Sequence, residues 1–142
     1  MDKNKLFQQF VQFTASVHQV TNDMTKEIKI DNITSVQYKI LEYITVSQPV
    51  TLSEISECLH LSLPNSSREL KKLIEKQLCE KIIDPNDRRK YDIRLTENGT
   101  ELMNKVFQQL ELKFQAQINN LSEPELKEIE EAINILQKKF FS

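Results

Sequence analysis

The residues of this sequence best suited to chemistry are polar and cationic, and the first group lies on segment 64–76. Asn65, Arg68 and Lys72 are spaced three and four residues apart, with Lys71 beside them. In a helix this spacing places the side chains on one face. Asn can pair bidentately with adenine and Arg with guanine, whereas Lys meets phosphate as a point charge. The stripe therefore suits contact with nucleic acid, although by itself it is also typical of a solvated helix face.

The second group is the tract Asp87, Arg88, Arg89 and Lys90. Asp87 stands two residues before Arg89, so we expect its carboxylate to hold the loop or the guanidinium while Arg89 projects from the tip. A narrow DNA minor groove attracts such an arginine, and Arg88 and Lys90 are expected to contact phosphate. In isolation this tract is typical of a surface loop, so its interpretation depends on the elements that carry it.

Composition narrows the choice of elements. The chain has 142 residues, 39% hydrophobic and 28% charged, which is typical of one globular domain. Its single glycine argues against an all-β fold and against a glycine-rich nucleotide loop. The net charge of −2 hides an asymmetry, because segment 62–94 has nine basic and six acidic residues, a net charge of +3. A mainly helical protein with a local cationic surface is predicted.

Apolar periodicity and capping residues place the first three helices. A seam with spacings of three and four predicts a helix over 5–28, and it consists of Phe10, Phe13, Val17, Val20 and Met24. Capping boxes predict helix starts at Thr34 with Gln37 and at Thr51 with Glu54. The apolar residues expected to face inward from these two helices are Val36, Ile40, Leu41, Ile44, Leu52, Ile55 and Leu59.

The polar stripe falls on the fourth helix and the basic tract on a hairpin. Pro64 behind Ser62 or Leu63 opens a helix to about Lys76. Its expected apolar face is Leu63, Leu70, Leu73 and Ile74. Two short strands, carrying Ile82 and Ile83 on one side and Tyr91, Ile93 and Leu95 on the other, flank the turn 84–90. Thr96 then caps a long helix, and Ser122, Pro124 and Glu125 start the last one.

This order of helix, short helix, break, helix and basic hairpin is that of a winged helix-turn-helix. The stretch from Leu52 to Gly99, above all LCEKIIDPNDRRKYDIRLTENG from Leu78, resembles the MarR family of winged-helix bacterial transcription regulators. The resemblance implies a homodimer that presents two recognition helices to an inverted repeat in double-stranded DNA. It places Asn65, Ser67 and Arg68 on recognition-helix positions, Arg89 on the minor-groove arginine of the wing, and Asp87 on its orienting acid.

The chain departs from the family pattern at four positions. A glycine usually ends the recognition helix and an arginine follows it, whereas this chain has Gln77 and Lys81. Gln77 must then end the helix, although a positive φ costs glutamine steric free energy that glycine does not lose. Ser66 and Glu69 stand where the family tends to be apolar, which bears on the rotation of this helix.

The predicted architecture is a mainly α winged helix-turn-helix with a small β-hairpin wing and long terminal dimerisation helices. We expect a single protein over 1–142, with a DNA-binding lobe at 34–98 and a helical dimerisation region at 1–33 and 99–142. Apolar seams on the first and last helices exceed what the small central lobe can cover, which independently favours an obligate homodimer.

The leading hypothesis is a sequence-specific transcription regulator, a repressor in preference to an activator, which a small lipophilic or phenolic ligand can release from its operator. The resemblance also implies a ligand pocket between the dimerisation helices and the DNA-binding lobe. The residues that could line it are each more typical of a core aromatic or a surface histidine, and they are Phe10, Phe13, His18, Tyr38 and Tyr43. The alternative is a winged-helix dimer that acts as a protein adaptor without binding DNA, which Ser66 and Glu69 favour, because an acidic residue near the groove repels phosphate.

An enzyme is not expected, since the sequence shows no catalytic Ser-His-Asp or Cys-His context. No cofactor and no metal site are expected either, because Cys58 and Cys79 form no zinc pattern with the two histidines. The absence of a signal-like apolar core near the amino terminus and of a long apolar run favours a cytoplasmic protein without a membrane span.

Overall fold

The computed structural model describes residues 1–141 of the chain. Over that range the elements follow in the order α1 (Lys3–Thr25), α2 (Ser35–Ser47), α3 (Leu52–Leu59), α4 (Leu63–Glu75), β1 (Cys79–Ile83), β2 (Tyr91–Leu95), α5 (Glu97–Gln117) and α6 (Glu123–Phe140). The predicted mainly helical chain with one hairpin is confirmed. Helix α1 ends at Thr25, three residues before the predicted end.

The described chain divides into two compact units, one of residues 26–108 and one of residues 1–25 together with those from Gln109 onward. The first unit includes α2, α3, α4, the hairpin and the start of α5. The predicted lobe 34–98 lies inside it. The second unit consists of α1, the end of α5 and α6.

The predicted capping residues begin five of the helices, and at the start of α5 the Thr96 hydroxyl accepts a hydrogen bond from the backbone N–H of Gly99 at 3.0 Å. Complete capping boxes are formed by Thr34 with Gln37, by Thr51 with Glu54 and by Ser122 with Glu125. The hydroxyl of Ser62 accepts a hydrogen bond from the backbone N–H of Asn65 at 3.2 Å. These side chains satisfy backbone donors that a helix start leaves without intrahelical partners, and they thereby fix where α2, α3, α4, α5 and α6 begin.

The core of the first unit is made by one or more residues of each of its elements. Its most buried side chains are Ile40, Leu41, Ile44, Val50, Ile55, Leu70, Leu73, Ile93 and Met103. Two predictions of inward-facing residues are wrong, because Val36 is 38% exposed and Leu63 is 50% exposed. Both lie in the first turn of their helix, ahead of the layer on which the helix packs. The buried positions nearby are occupied by polar residues, Gln37 and Ser66.

The hairpin is joined to the core by its second strand. Strands β1 and β2 pair antiparallel, with Cys79 opposite Leu95 and Ile83 opposite Tyr91. Ile93 also exchanges two backbone hydrogen bonds with Val50, with N···O distances of 3.0 and 2.7 Å. The wing therefore starts from a rigid base.

The turn from α4 into the hairpin has a left-handed residue. Gln77 has a φ of 64°. Its N–H donates to the carbonyl of Ile74 at 2.9 Å, and the N–H of Leu78 donates to the carbonyl of Leu73 at 3.0 Å. These two bonds close the helix in the manner of a Schellman motif, which usually has glycine at the left-handed position. The prediction that Gln77 must end α4 without glycine is confirmed.

Gly99 allows the first turn of α5 to approach the end of α4 closely. A Cβ atom at Gly99 would lie 2.1 Å from the carbonyl oxygen of Leu78. The same carbonyl accepts a hydrogen bond from the backbone N–H of Thr96 at 3.0 Å, and the Thr96 hydroxyl donates to the carbonyl of Gln77 at 2.6 Å. Only glycine fits this contact, which ties the start of α5 to the base of the wing.

The second unit leaves most of its apolar side chains exposed. Phe10 is half-buried, and its ring centroid lies 4.6 Å from that of Phe140. Exposed apolar residues continue along all three helices of this unit, namely Leu6, Phe7, Val11, Phe13, Val17, Val20, Leu112, Phe114, Ile129, Ile133, Ile135 and Phe140. Over residues 1–141, none of the helices is both long and apolar enough for a lipid bilayer.

Candidate nucleic-acid interface

Helix α4 is fixed by one apolar edge and presents the rest of its surface outward. Leu70 and Leu73 are fully buried against the core of the first unit. All five residues predicted to contact DNA from this helix are exposed, namely Asn65, Ser67, Arg68, Lys71 and Lys72. The structure therefore brings the predicted polar stripe together on one accessible helix surface.

Between the stripe and the core, Glu69 is hydrogen-bonded to α2. Its Oε2 accepts from Nε2 of Gln37 at 3.1 Å, and its Oε1 accepts from Nζ of Lys72 at 3.2 Å. The bond from Gln37 and the neighbouring Lys72 cation hold the pKa of Glu69 below its usual range, against the opposing effect of burial. Glu69 is therefore an anchored carboxylate on the α2 side of α4.

Gln37 is the centre of this polar contact and is itself buried. Its Oε1 accepts from the backbone N–H of Thr34 at 3.2 Å and from Nζ of Lys76 at 3.1 Å. The Lys76 ammonium also donates to the carbonyl of Asn32. One buried amide thus links the segment before α2, the start of α2 and the polar edge of α4.

Ser66 occupies a fully buried position on α4, one turn before Leu70. Within the described chain its hydroxyl has no hydrogen-bond partner. A hydroxymethyl group fills little volume and gains little from apolar burial. The first half of α4 is therefore packed less strongly than the second half.

At the tip of the wing, the backbone and the Nε atom of Arg89 are held by Asp87, while its side chain is exposed to solvent. Oδ1 of Asp87 accepts hydrogen bonds from the backbone N–H of Arg89 at 3.0 Å and from its Nε at 3.2 Å. The Arg89 side chain is nevertheless 91% exposed. The predicted contact between Asp87 and Arg89 is present. Arg88 and Lys90 are exposed beside it.

Backbone bonds shape the loop that carries these residues. The N–H of Asp84 donates to the carbonyl of Lys90 at 2.9 Å, and the N–H of Lys90 donates to the carbonyl of Asp87 at 3.0 Å. Oδ1 of Asp84 accepts from the backbone N–H of Asn86 at 2.8 Å. The tip is thus a closed turn, in which three exposed cations follow one anchoring carboxylate.

The strands of the wing pair two of its remaining basic residues internally. Arg94 donates from Nε to Oε1 of Glu80 at 2.7 Å. The ammonium of Lys81 lies 4.4 Å from the ring centroid of Tyr91, a cation–π contact. Lys81, which stands where the family usually has arginine, therefore packs on the neighbouring strand.

The two cysteines have opposite environments. Cys58 is exposed on α3 and Cys79 is buried in β1. Burial raises the pKa of Cys79 to about 12, so its thiol stays protonated at neutral pH. In the part of the chain that the structure describes, no group of three or more metal-ligating residues is arranged around a common point.

The contacts of Gln37 and Lys76 and an open cleft beside the wing are not predictable from the sequence. The sequence predicts only the capping role of Gln37, because its contact with Glu69 spans 32 positions of the sequence. The cleft lies between the start of α3, Leu63 of α4 and the hairpin residues Ile83, Arg89 and Tyr91. Neither feature leaves a local pattern in the sequence.

The fold and this surface define a winged helix-turn-helix protein with an exposed polar helix and a cationic wing tip. Residues 33–91 match the model of the MarR family. A relative in Bacillus subtilis (strain 168), the uncharacterized HTH-type transcriptional regulator YfiV, is 25% identical over 116 residues, which are 82% of this chain and 72% of the relative.

Solved structures agree in fold. A MarR family protein from Bacillus stearothermophilus has a TM-score of 0.74 and 16% identity, with 100% of this chain and 99% of that chain covered. S. aureus MepR bound to ethidium bromide has a TM-score of 0.63 and 23% identity, with 90% and 93% covered. The predicted resemblance to the MarR family is confirmed by the match of residues 33–91 to the family model, and the solved structures show that the fold is a winged helix.

Proposed function

We propose that this protein binds an inverted-repeat operator in double-stranded DNA as a homodimer and represses transcription in the cytoplasm. Residues 34–98 form the DNA-binding lobe, and residues 1–33 and 99–142 form the dimerisation region. Asn65, Ser67 and Arg68 contact base edges and backbone in the major groove, and Lys71 and Lys72 contact phosphates. Arg89, oriented by Asp87, enters the minor groove, while Arg88 and Lys90 bind the phosphates that flank it.

The single observation that carries this proposal is the geometry of Arg89. An arginine held at its base by two bonds to Asp87, but exposed along its length, is preorganised to enter a narrow and strongly negative groove. It lies in the same compact unit as the exposed stripe of α4. A helix suits the major groove and a hairpin tip the minor groove, so this pairing of elements supports binding to a duplex.

The exposed apolar residues of the second unit support the homodimer. Soluble monomers rarely leave large contiguous apolar patches in water. In a two-fold dimer the same surface of each copy covers the other, and two recognition helices then reach major grooves about 34 Å apart.

A small lipophilic or phenolic ligand is proposed to release the dimer from DNA. The solved structure of S. aureus MepR holds ethidium, a planar aromatic cation, in a protein of the same fold. A ligand that favours another separation of the two lobes would weaken binding without touching the DNA surface.

The proposal is tested by fluorescence anisotropy with operator fragments selected from random DNA by the purified protein. Arg89→Ala is expected to lower operator affinity by about 1–3 kcal/mol, because a specific groove contact is lost. Arg94→Ala is the matched control, since this arginine is paired with Glu80 on the strand and not at the tip. Lys72→Ala should weaken binding to all sequences and reduce the salt dependence.

A protein that binds no DNA, or whose affinity is unchanged in both Arg89→Ala and Lys72→Ala, would contradict the proposal. The adaptor alternative depended on Ser66 and Glu69 at the groove. Ser66 is buried, and Glu69 is directed to Gln37 of α2. Neither residue therefore supplies the groove-facing feature that would favour an adaptor.

A further inference from the structure

The hydrogen bond between Gln37 and Glu69 lies close to the residues of α4 whose direction depends most on the rotation of this helix about its axis. Asn65 and Arg68 belong to the first half of this helix, and the buried position beside them is the small Ser66, whose hydroxyl is unpaired in the described structure. Leu70 and Leu73 anchor only the second half. The Gln37–Glu69 hydrogen bond, at 3.1 Å, is therefore the directional contact nearest to the base-contacting residues.

This contact is itself held on both sides. Gln37 accepts from the backbone of Thr34 at 3.2 Å and from Lys76 at 3.1 Å, so its amide has a single orientation. Glu69 also accepts from Lys72 at 3.2 Å. Lys72 lies on α4 with Glu69, so this ion pair holds the carboxylate in place on its own helix. The bond from Gln37 of α2 then permits less rotation of α4 than an apolar contact, because hydrogen bonds weaken steeply with distance and angle.

Rotation of this helix matters for reading bases and hardly at all for binding phosphates. A rotation of about 10° moves an atom at a radius of about 6 Å by about 1 Å, which is enough to break a bidentate contact with a base. Lysine contacts with phosphate tolerate such a shift, because they act as point charges. Loss of rotational control should therefore reduce sequence discrimination more than general affinity for DNA.

We propose that Gln37 and Glu69 are specificity-determining positioning residues, whose hydrogen bond sets the rotation of α4 against α2. The inference rests on the proposed function, since it concerns how the same helix reads DNA. Neither residue touches the duplex. The hydrogen bond matters here, and not the charge of Glu69 as such.

The experiment compares three substitutions on α4 by the ratio of affinities for the selected operator and for a random fragment of equal length. Glu69→Ala removes the bond and the charge, Glu69→Gln keeps an acceptor oxygen and removes the charge, and Glu75→Ala removes an exposed charge on the same helix. We expect Glu69→Ala to lower the ratio about tenfold, the equivalent of one net hydrogen bond. Glu69→Gln and Glu75→Ala should each change it by less than about twofold.

A double-mutant cycle with Gln37→Ala completes the test. If the two side chains act as one unit, the double variant should lose about as much discrimination as Glu69→Ala alone, with the melting temperature of Glu69→Ala and Glu69→Gln near that of the wild type. An unchanged ratio in Glu69→Ala, an equal loss in Glu69→Gln, or additive losses in the cycle would overturn the inference while the proposed function stands. A wild-type protein that binds no DNA would overturn both.

Discussion

The two compact units of this protein contain helices with similar apolar spacing, but the apolar side chains are buried in one unit and exposed in the other. In residues 26–108 the apolar faces of α2, α3 and α4 converge, and Ile40, Ile55 and Leu73 are completely buried. Along α1 and α6, residues with the same three-and-four spacing remain exposed, among them Val17 and Ile133. Amphipathic periodicity therefore specifies a helix with one apolar face. It does not specify which other surface buries that face.

The difference follows from what each unit has available for packing. The first unit has a hairpin and four helical segments around one centre, so the apolar faces of α2, α3 and α4 meet one another within the same chain. The second unit has three helical segments, and their outer seams have no further element of this unit to cover them. One unit is therefore stabilised by its own core, and we expect the other to be stabilised by a second copy of the chain.

The largest effect is expected at the centre of the first unit. Leu73→Ala should lower the free energy of unfolding by about 2–5 kcal/mol, because it removes buried surface and leaves a cavity. Leu63→Ala on the same helix is the matched control, and it should cost less than about 1 kcal/mol, since Leu63 is half exposed. Urea denaturation measures both. Equal effects of the two substitutions would show that the core of this unit is not where the structure places it.

The next effect concerns the second unit. Ile133 is 51% exposed, and Ile133→Asp should raise the dissociation constant of the dimer by about 100-fold, because a charge would be buried at the interface. Asn134→Asp adds the same charge off the apolar seam and should leave association unchanged. Sedimentation equilibrium distinguishes the two variants. A wild-type chain that stays monomeric and folded at micromolar concentration would contradict the contrast between the units.

The smallest effect tests the left-handed turn between α4 and the wing. Gln77→Gly should stabilise the protein by about 0.5–1 kcal/mol, because glycine adopts a positive φ without the steric cost that glutamine has. Glu75→Gly, two residues earlier at the last residue of α4, should instead destabilise the protein by about 0.5–1 kcal/mol, because glycine disfavours the helical conformation. Thermal unfolding of the two variants should therefore shift in opposite directions. A lower melting temperature for Gln77→Gly would mean that the contacts of the Gln77 side chain stabilise the protein by more than its positive φ destabilises it.

Local chemistry determined much of this protein from sequence alone. The capping boxes at Thr34, Thr51 and Ser122 fixed helix starts, since each is satisfied within four residues. The wing tip was predictable for the same reason, because Asp87 and Arg89 are two residues apart. The exposed polar stripe of α4 was predictable from the spacing of its residues on one helix.

The tertiary structure alone decided which residues far apart in the sequence are in contact. Gln37 meets Glu69 across 32 positions, and no periodicity of either helix records it. The exposure of Val36 and Leu63 likewise depends on where a neighbouring layer ends, which a helical pattern does not contain. Short-range hydrogen bonds can be predicted from residue types a few positions apart in the sequence. The rotation of one helix against another instead results from how all the side chains between them pack.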